Sequence, residues 1–199
     1  AALKEKGLED DTIVVFTSDN GPWLPTEISG GSAGLLRGGK GSTWEGGMRE
    51  PTIFWSPGNI QPGVITEMGT TMDLFTTFSK LAGVAVPSDR EMDGYDLTPV
   101  LFHKEKGVRN EVFYYRQREL YAVRVGSFKA HFITQEGYGN EKTYHNPPLL
   151  YNVDEDPSER FDIAENNPDI LLTIQAVVEV HQSKMLMDPD MYGSLTFQI

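Results

Sequence analysis

Asp19 and Asn20 stand side by side where an apolar, β-branched run, Thr12 to Thr17 (TIVVFT), gives way to Gly21-Pro22. Two adjacent oxygen-bearing side chains suit a hard cation such as Ca²⁺ or Mg²⁺, and they supply only part of the six to eight ligands that calcium takes. The competing reading is an Asx turn that closes a strand, the ordinary role of Asp-Asn-Gly. Lys40 lies in a second suggestive place, the glycine-rich stretch Gly30 to Gly47. Gly34 to Lys40 (GLLRGGK) matches the first part of a phosphate-binding P-loop, but Gly41 stands where the magnesium-binding Ser or Thr belongs. No strand leads into it, so nucleotide binding is rejected. What remains is a lysine among small residues that let the backbone approach an anion closely. As a plain exposed lysine it would have Arg37, Glu45 and Arg49 as surface or ion-pair neighbours.

Other constellations carry less. Asp154, Asp156, Ser158, Asp162 and Glu165 imitate the spacing of an EF-hand loop, but Glu159 replaces the central glycine and Pro157 intrudes, so a surface turn is expected. His103, His131, His145 and His181 show no metal-ligand spacing, and each reads as structural or surface. His145, in Tyr144-His145-Asn146-Pro147-Pro148, is the one placed in a loop that could reach a cleft.

The elements that must position these residues follow an α/β grammar at first. Ala1 to Lys6 reads as a helix already under way, as in a piece of something longer, and Gly7 ends it. Thr12 to Thr17 has the pattern of a strand buried on both faces. Gly30 to Gly47 is expected to form no regular element. Pro51 to Trp55 is a short strand, and Asp73 to Ala82 an amphipathic helix with Asp73 in its first turn and Gly83 at its end. Pro87 to Gly107 is loop-rich and marks a boundary. Beyond it, 111–116, 120–125, 128–134 and 148–153 read as strands of an antiparallel meander. Ile170 to Met185 is the longest helix, with Ile170, Ile174, Val177, Val178 and His181 on one face.

Composition bounds the partners. A formal net charge of −12 over 199 residues leaves no basic face for nucleic acid and disfavours anionic lipid. No apolar run is long enough to cross a bilayer, and a soluble chain is expected. Without cysteine the chain has no disulfide, thiolate metal site or cysteine nucleophile.

Together, Thr12 to Pro22 (TIVVFTSDNGP), Gly38 to Pro51 (GGKGSTWEGGMREP), Asp93 to Leu97 (DGYDL), Tyr121 to Phe132 (YAVRVGSFKAHF) and Pro147 to Val153 (PPLLYNV) with Asp156-Pro157 resemble the sulfatase family. The likeness is to its arylsulfatase A-like branch and the related N-acetylgalactosamine-6-sulfatases, in order and spacing, over nearly the whole chain. Asp188 to Ile199 match least well. The resemblance implies an α/β, alkaline-phosphatase-like fold. Residues 1–107 would be the end of a large mixed-sheet domain, and 108–199 a small C-terminal antiparallel sheet with a helix.

It also implies hydrolysis of sulfate esters by a formylglycine, made from the cysteine of a C-x-P-x-R motif, whose hydrate attacks sulfur while Ca²⁺ neutralises sulfate oxygens. By resemblance Asp19 and Asn20 are two of the calcium ligands, Lys40 binds the sulfate group and serves catalysis, and His145 approaches the substrate. The formylglycine cysteine and the remaining calcium ligands are expected upstream, for neither C-x-P-x-R nor S-x-P-x-R occurs here. The expected partners are the amino-terminal portion of the same enzyme, a sulfated small molecule, sulfolipid or glycan, and a second copy in a homo-oligomer. The expected location is lysosomal or secreted, and the fragment alone is expected to be inactive. The alternative is a non-catalytic, sulfatase-derived structural or sulfated-glycan-binding protein. Retention of Asp19, Asn20 and Lys40 together favours the enzyme. A phosphatase or phosphodiesterase of the same superfamily is a weaker third reading, because GGKG-x-x-x-EGG-x-REP is the sulfatase form.

Overall fold

The computed structural model describes residues 1–185. Its elements in chain order are α1 (Ala2–Glu5), β1 (Val14–Phe16), a pair of 3-10 turns over Leu24–Gly30 broken at Glu27, and α2 (Glu45–Met48). Then follow β2 (Ile53–Trp55), α3 (Asp73–Leu81), α4 (Thr98–His103), β3 (Glu111–Arg116), β4 (Glu119–Val125), β5 (Phe128–Thr134), β6 (Thr143–Asn152) and α5 (Pro168–Lys184). The sheets are β1-β2, antiparallel with Val15 opposite Phe54, and the antiparallel meander β3-β4-β5-β6.

The meander has two working faces, because side chains alternate along each strand. On one face Phe113, Val123, Phe128, Ala130 and Leu150 pack with Ile174 and Val178 of α5. The sequence-expected stripe of α5 is the right one, since Ile174 and Val178 are buried and Ile170, Val177 and His181 half-buried. His181 stacks on Phe113 at 3.7 Å between ring centroids and hydrogen-bonds Tyr115. On the opposite face Leu149, Tyr151 and Val153 pack against Trp44, which belongs to the glycine-rich stretch. The small sheet is therefore covered twice, by its own helix and by the segment that carries Lys40.

Three expectations need correction. First, Gly30 to Gly47 is not without regular structure. It ends in α2, and Ser42 to Gly47 are buried. The reason is steric: a Cβ on Gly46 or Gly47 would lie 2.5 Å from a carbonyl oxygen of the stretch's earlier part, so only glycine lets the chain fold back on itself here. Second, β1 is not covered on both faces. Val14 and Phe16 are exposed, as are Ile53 and Trp55 of its partner β2, because no other described strand or helix covers them. Third, the 154–165 segment is not wholly a surface turn, since Glu159 is fully buried.

The connection between the sheets is held by Asp73 at the start of α3. Its buried carboxylate accepts from the amides of Thr70 (2.7 Å) and Tyr95 (2.8 Å) and from Arg109. Gly83, at φ +69°, turns the chain out of α3. Lengthened β6 begins at Thr143, five residues earlier than the apolar pattern places it, so Tyr144 and His145 lie within a strand.

Candidate functional site

Backbone hydrogen bonds stitch the two motif segments together. The amide of Gly21 donates to the Gly47 carbonyl at 3.0 Å, and that of Lys40 to the Pro22 carbonyl at 2.9 Å. A Cβ on Gly21 would lie 1.9 Å from the Gly46 carbonyl oxygen, so the Asp-Asn-Gly turn and the Glu-Gly-Gly turn cross at glycine on both sides. Asp19, Asn20 and Lys40 are thus brought to one region beyond the end of β1, where ligands of α/β sheets gather.

Asp19 is exposed and Asn20 half-buried, and the hydroxyl of Ser18 donates to the Asn20 carbonyl at 2.9 Å, fixing the turn. Glu50, with no ligand-like spacing to mark it in the sequence, lies near them. Burial first, and then the charge of Asp19, push its carboxyl above the usual value, and its Oε1 is buried without a hydrogen-bond partner. The donors are all oxygen, and the local field is one of like charges that a cation would relieve. On those grounds the residues fit a hard cation. Among the described residues no group of three or more His, Cys, Asp or Glu side chains could hold a metal ion by itself.

Lys40 is half-buried, its Nζ 6.0 Å from the centroid of the Trp23 ring. Beside it, Ser42 Oγ donates to the Gly39 carbonyl (2.8 Å) and Arg116 of β3 to the Gly41 carbonyl (2.9 Å). Tyr138 packs over Gly41 and Arg116 lies 4.9 Å from its ring, so the strand 5–strand 6 hairpin reaches this loop as well. His145 sits apart, on β6, its Nε2 2.9 Å from the Thr134 hydroxyl. Burial lowers its imidazole below the usual value, against the opposing charge of Asp162.

Beneath the Lys40 loop lies a buried ionic cluster with no local signature in the sequence. Lys129 Nζ of β5 donates to the Thr43 carbonyl (2.7 Å) and to Glu45 Oε1 (2.9 Å), lies 3.4 Å from Glu159 Oε1, and sits 4.6 Å from the Tyr114 ring. Glu159 Oε2 accepts the Glu45 amide (2.6 Å), and its Oε1 lies 2.6 Å from His131 Nε2. Arg124 adds a second cation 3.5 Å from Glu45 Oε2. Lys129, His131, Glu45 and Glu159 are all within 1% of full burial. Burial opposes the charge of Lys129, but Tyr114, Glu45 and Glu159 raise its value on balance, so it stays protonated. Burial lowers His131 from 6.5 to about 4 and leaves it neutral. Burial raises Glu159, yet the His131 bond and the Lys129 charge hold it below the usual value. Alternation in Phe128–Thr134 would have placed Lys129 and His131 on one face. Nothing local showed that this face is covered.

The chain belongs to the sulfatase family: the sulfatase model matches residues 1–84, and the model of the C-terminal region of aryl-sulfatase matches 107–198. It is similar to arylsulfatase A of Homo sapiens, 38% identical over 94% of this chain and 40% of that protein. It is likewise similar to N-acetylgalactosamine-6-sulfatase of Mus musculus, 38% identical over 92% of this chain and 40% of that one. Among solved structures, PsFucS1 sulfatase from Pseudoalteromonas sp. superposes with a TM-score of 0.85 at 30% identity, covering 92% of this chain and 39% of that one. The fold is thus the alkaline-phosphatase-like fold of sulfatases, and the chain spans about 40% of the length of the curated relatives it matches.

Proposed function

We propose that this chain is part of a calcium-dependent sulfatase that hydrolyses sulfate esters, with its nucleophile and remaining metal ligands supplied by an amino-terminal portion. The observation that carries the reading is the stitching of Asp19-Asn20 to the Lys40 loop by the Gly21–Gly47 and Lys40–Pro22 hydrogen bonds. Family membership gives it the reaction class, and residues 1–107 and 108–199 are then the end of the large domain and the small C-terminal domain.

In this reading Asp19 and Asn20 hold one side of a Ca²⁺ with their side-chain oxygens. A Ca²⁺ held there would supply charge neutralisation for the sulfate oxygens, and the nucleophile would come from a formylglycine upstream. Lys40 binds the sulfate group with a charge-assisted hydrogen bond and stabilises the negative charge that moves onto the bridging oxygen as the S–O bond breaks. The loop is stapled by the Ser42, Arg116 and Lys129 bonds, so the backbone that presents Lys40 is held in place before substrate arrives. His145 approaches the substrate from β6, its imidazole lowered by burial. The substrate is a sulfated small molecule, sulfolipid or glycan, and the enzyme is lysosomal or secreted, in keeping with the arylsulfatase A-like relatives. On assembly with its amino-terminal portion the enzyme hydrolyses an aryl sulfate, and chelating calcium removes that activity while restoring calcium returns it. Activity that survives exhaustive chelation contradicts the calcium assignment.

A further inference from the structure

The small C-terminal sheet reaches the Lys40 loop through one side chain more than any other. Lys129 Nζ has three N–H donors, and three oxygens surround it: the Thr43 carbonyl, Glu45 Oε1 and Glu159 Oε1. Two of the three belong to the loop, within five residues of Lys40, and the third is itself bonded to the loop through the Glu45 amide. The contact is nonpolar around this core: Trp44 lies against His131 at 4.3 Å and edge-on to Tyr151 at 5.9 Å. Apolar packing alone would hold the loop down as firmly, since replacing a buried ion pair by well-packed apolar groups is often neutral or stabilising. What the ions add is direction. A Thr43 carbonyl tied to a buried ammonium cannot rotate or slide along the sheet, and the turn Gly39–Ser42 that presents Lys40 is anchored there.

We propose that Lys129 is a positioning residue for sulfate binding: it acts through Lys40 by clamping the Thr43 carbonyl and the Glu45 carboxylate to the C-terminal sheet. The proposal rests on the reading of Lys40 as the sulfate-binding lysine. It assigns the small domain a part in the site, whereas the packing alone gives it a supporting one.

The test is a double-mutant cycle in the sulfatase assembled with its amino-terminal portion, read by calorimetric titration with inorganic sulfate. Lys40→Ala and Lys129→Met are made singly and together, and the melting temperature of each is recorded. Lys129→Met weakens sulfate binding on the order of tenfold in the wild-type background and has no further effect in Lys40→Ala, because groups that act as a unit are not additive. Glu45→Gln, which keeps an oxygen for Lys129 and the shape of the side chain, retains sulfate affinity closer to wild type than Lys129→Met does. Where Lys129→Met fails to fold, Glu159→Gln replaces it in the cycle, with the same expectation of non-additivity and a smaller single effect. Equal losses from the Lys129 variant in both backgrounds overturn the proposal and leave a purely structural ion pair. Unchanged sulfate binding in Lys40→Ala alone overturns instead the reading on which it rests.

Discussion

At the residue scale the chain conceals its charges. Lys129 and His131 lie on the strand face that the alternation of Phe128–Thr134 would give to solvent, and their acidic partners Glu45 and Glu159 are 84 and 28 residues away for the bonds they form. Such partners are chosen by the fold, and no local pattern reports them. His131 gives a measurable consequence. Its imidazole titrates at about 4 in the folded protein against 6.5 ordinarily, so the unfolded chain binds more protons between those values. Stability contributed by the neutral ring is therefore complete above about pH 6.5 and is lost as pH falls toward 4, by up to about 3 kcal/mol on linkage grounds. Glu159 is held below its ordinary value, so its contribution is present above about 4.5 and fades at still lower pH. Denaturant melts of the assembled protein at pH 7 and pH 5 will show the loss, and His131→Gln will flatten it. An equal slope in the variant would assign the pH dependence elsewhere.

At the element scale, the meander, α3 and α5 were legible because each shows a clean period: two in the strands, near four in the helices. Boundaries moved where side chains other than apolar ones set them, as in β6, whose first residues Thr143 to Asn146 are polar and exposed apart from half-buried His145. The glycine-rich stretch was misjudged for a physical reason. Many glycines make a chain flexible in isolation, but here they serve close approach, with Gly21, Gly46 and Gly47 each facing a backbone oxygen that a Cβ would strike. Gly21→Ala, at a position without positive φ, tests this directly. The methyl group forces the Asp19-Asn20 turn away from α2, so calcium affinity falls at least tenfold while the meander, read by hydrogen-exchange protection of its strand amides, stays folded. Retained calcium affinity in that variant would show that the crossing does not set the site.

At the scale of the whole molecule, the two halves differ in how well they are covered. The meander is packed on both faces, whereas β1 and β2 expose Val14, Phe16, Ile53 and Trp55, with Phe16 67% accessible. The apolar run Thr12 to Thr17 reads as a doubly buried strand, and among the described residues only β2 pairs with it. More than half the length of the relatives this chain matches lies outside the matched part, and the proposed amino-terminal portion would cover the open sheet. The 199-residue chain alone will bind a dye specific for exposed apolar surface, and assembly with that portion will abolish the binding. A dye-silent isolated chain would mean that the exposed strands are covered by something else. The same division explains what the sequence could show of the candidate site: the motifs name Asp19, Asn20 and Lys40, but the backbone bonds between their segments and the buried cluster under the Lys40 loop join residues far apart in the chain.

Steady-state hydrolysis of a chromogenic aryl sulfate decides whether Lys40 is the sulfate-binding cation of a sulfatase site. The enzyme is assembled with its amino-terminal portion and compared with its Lys40→Ala form, each saturated with calcium. The wild type is expected to turn over, with a loss in kcat/KM of about 10²- to 10³-fold on removing a cation that faces developing charge. Wild-type turnover left undiminished by Lys40→Ala would contradict it.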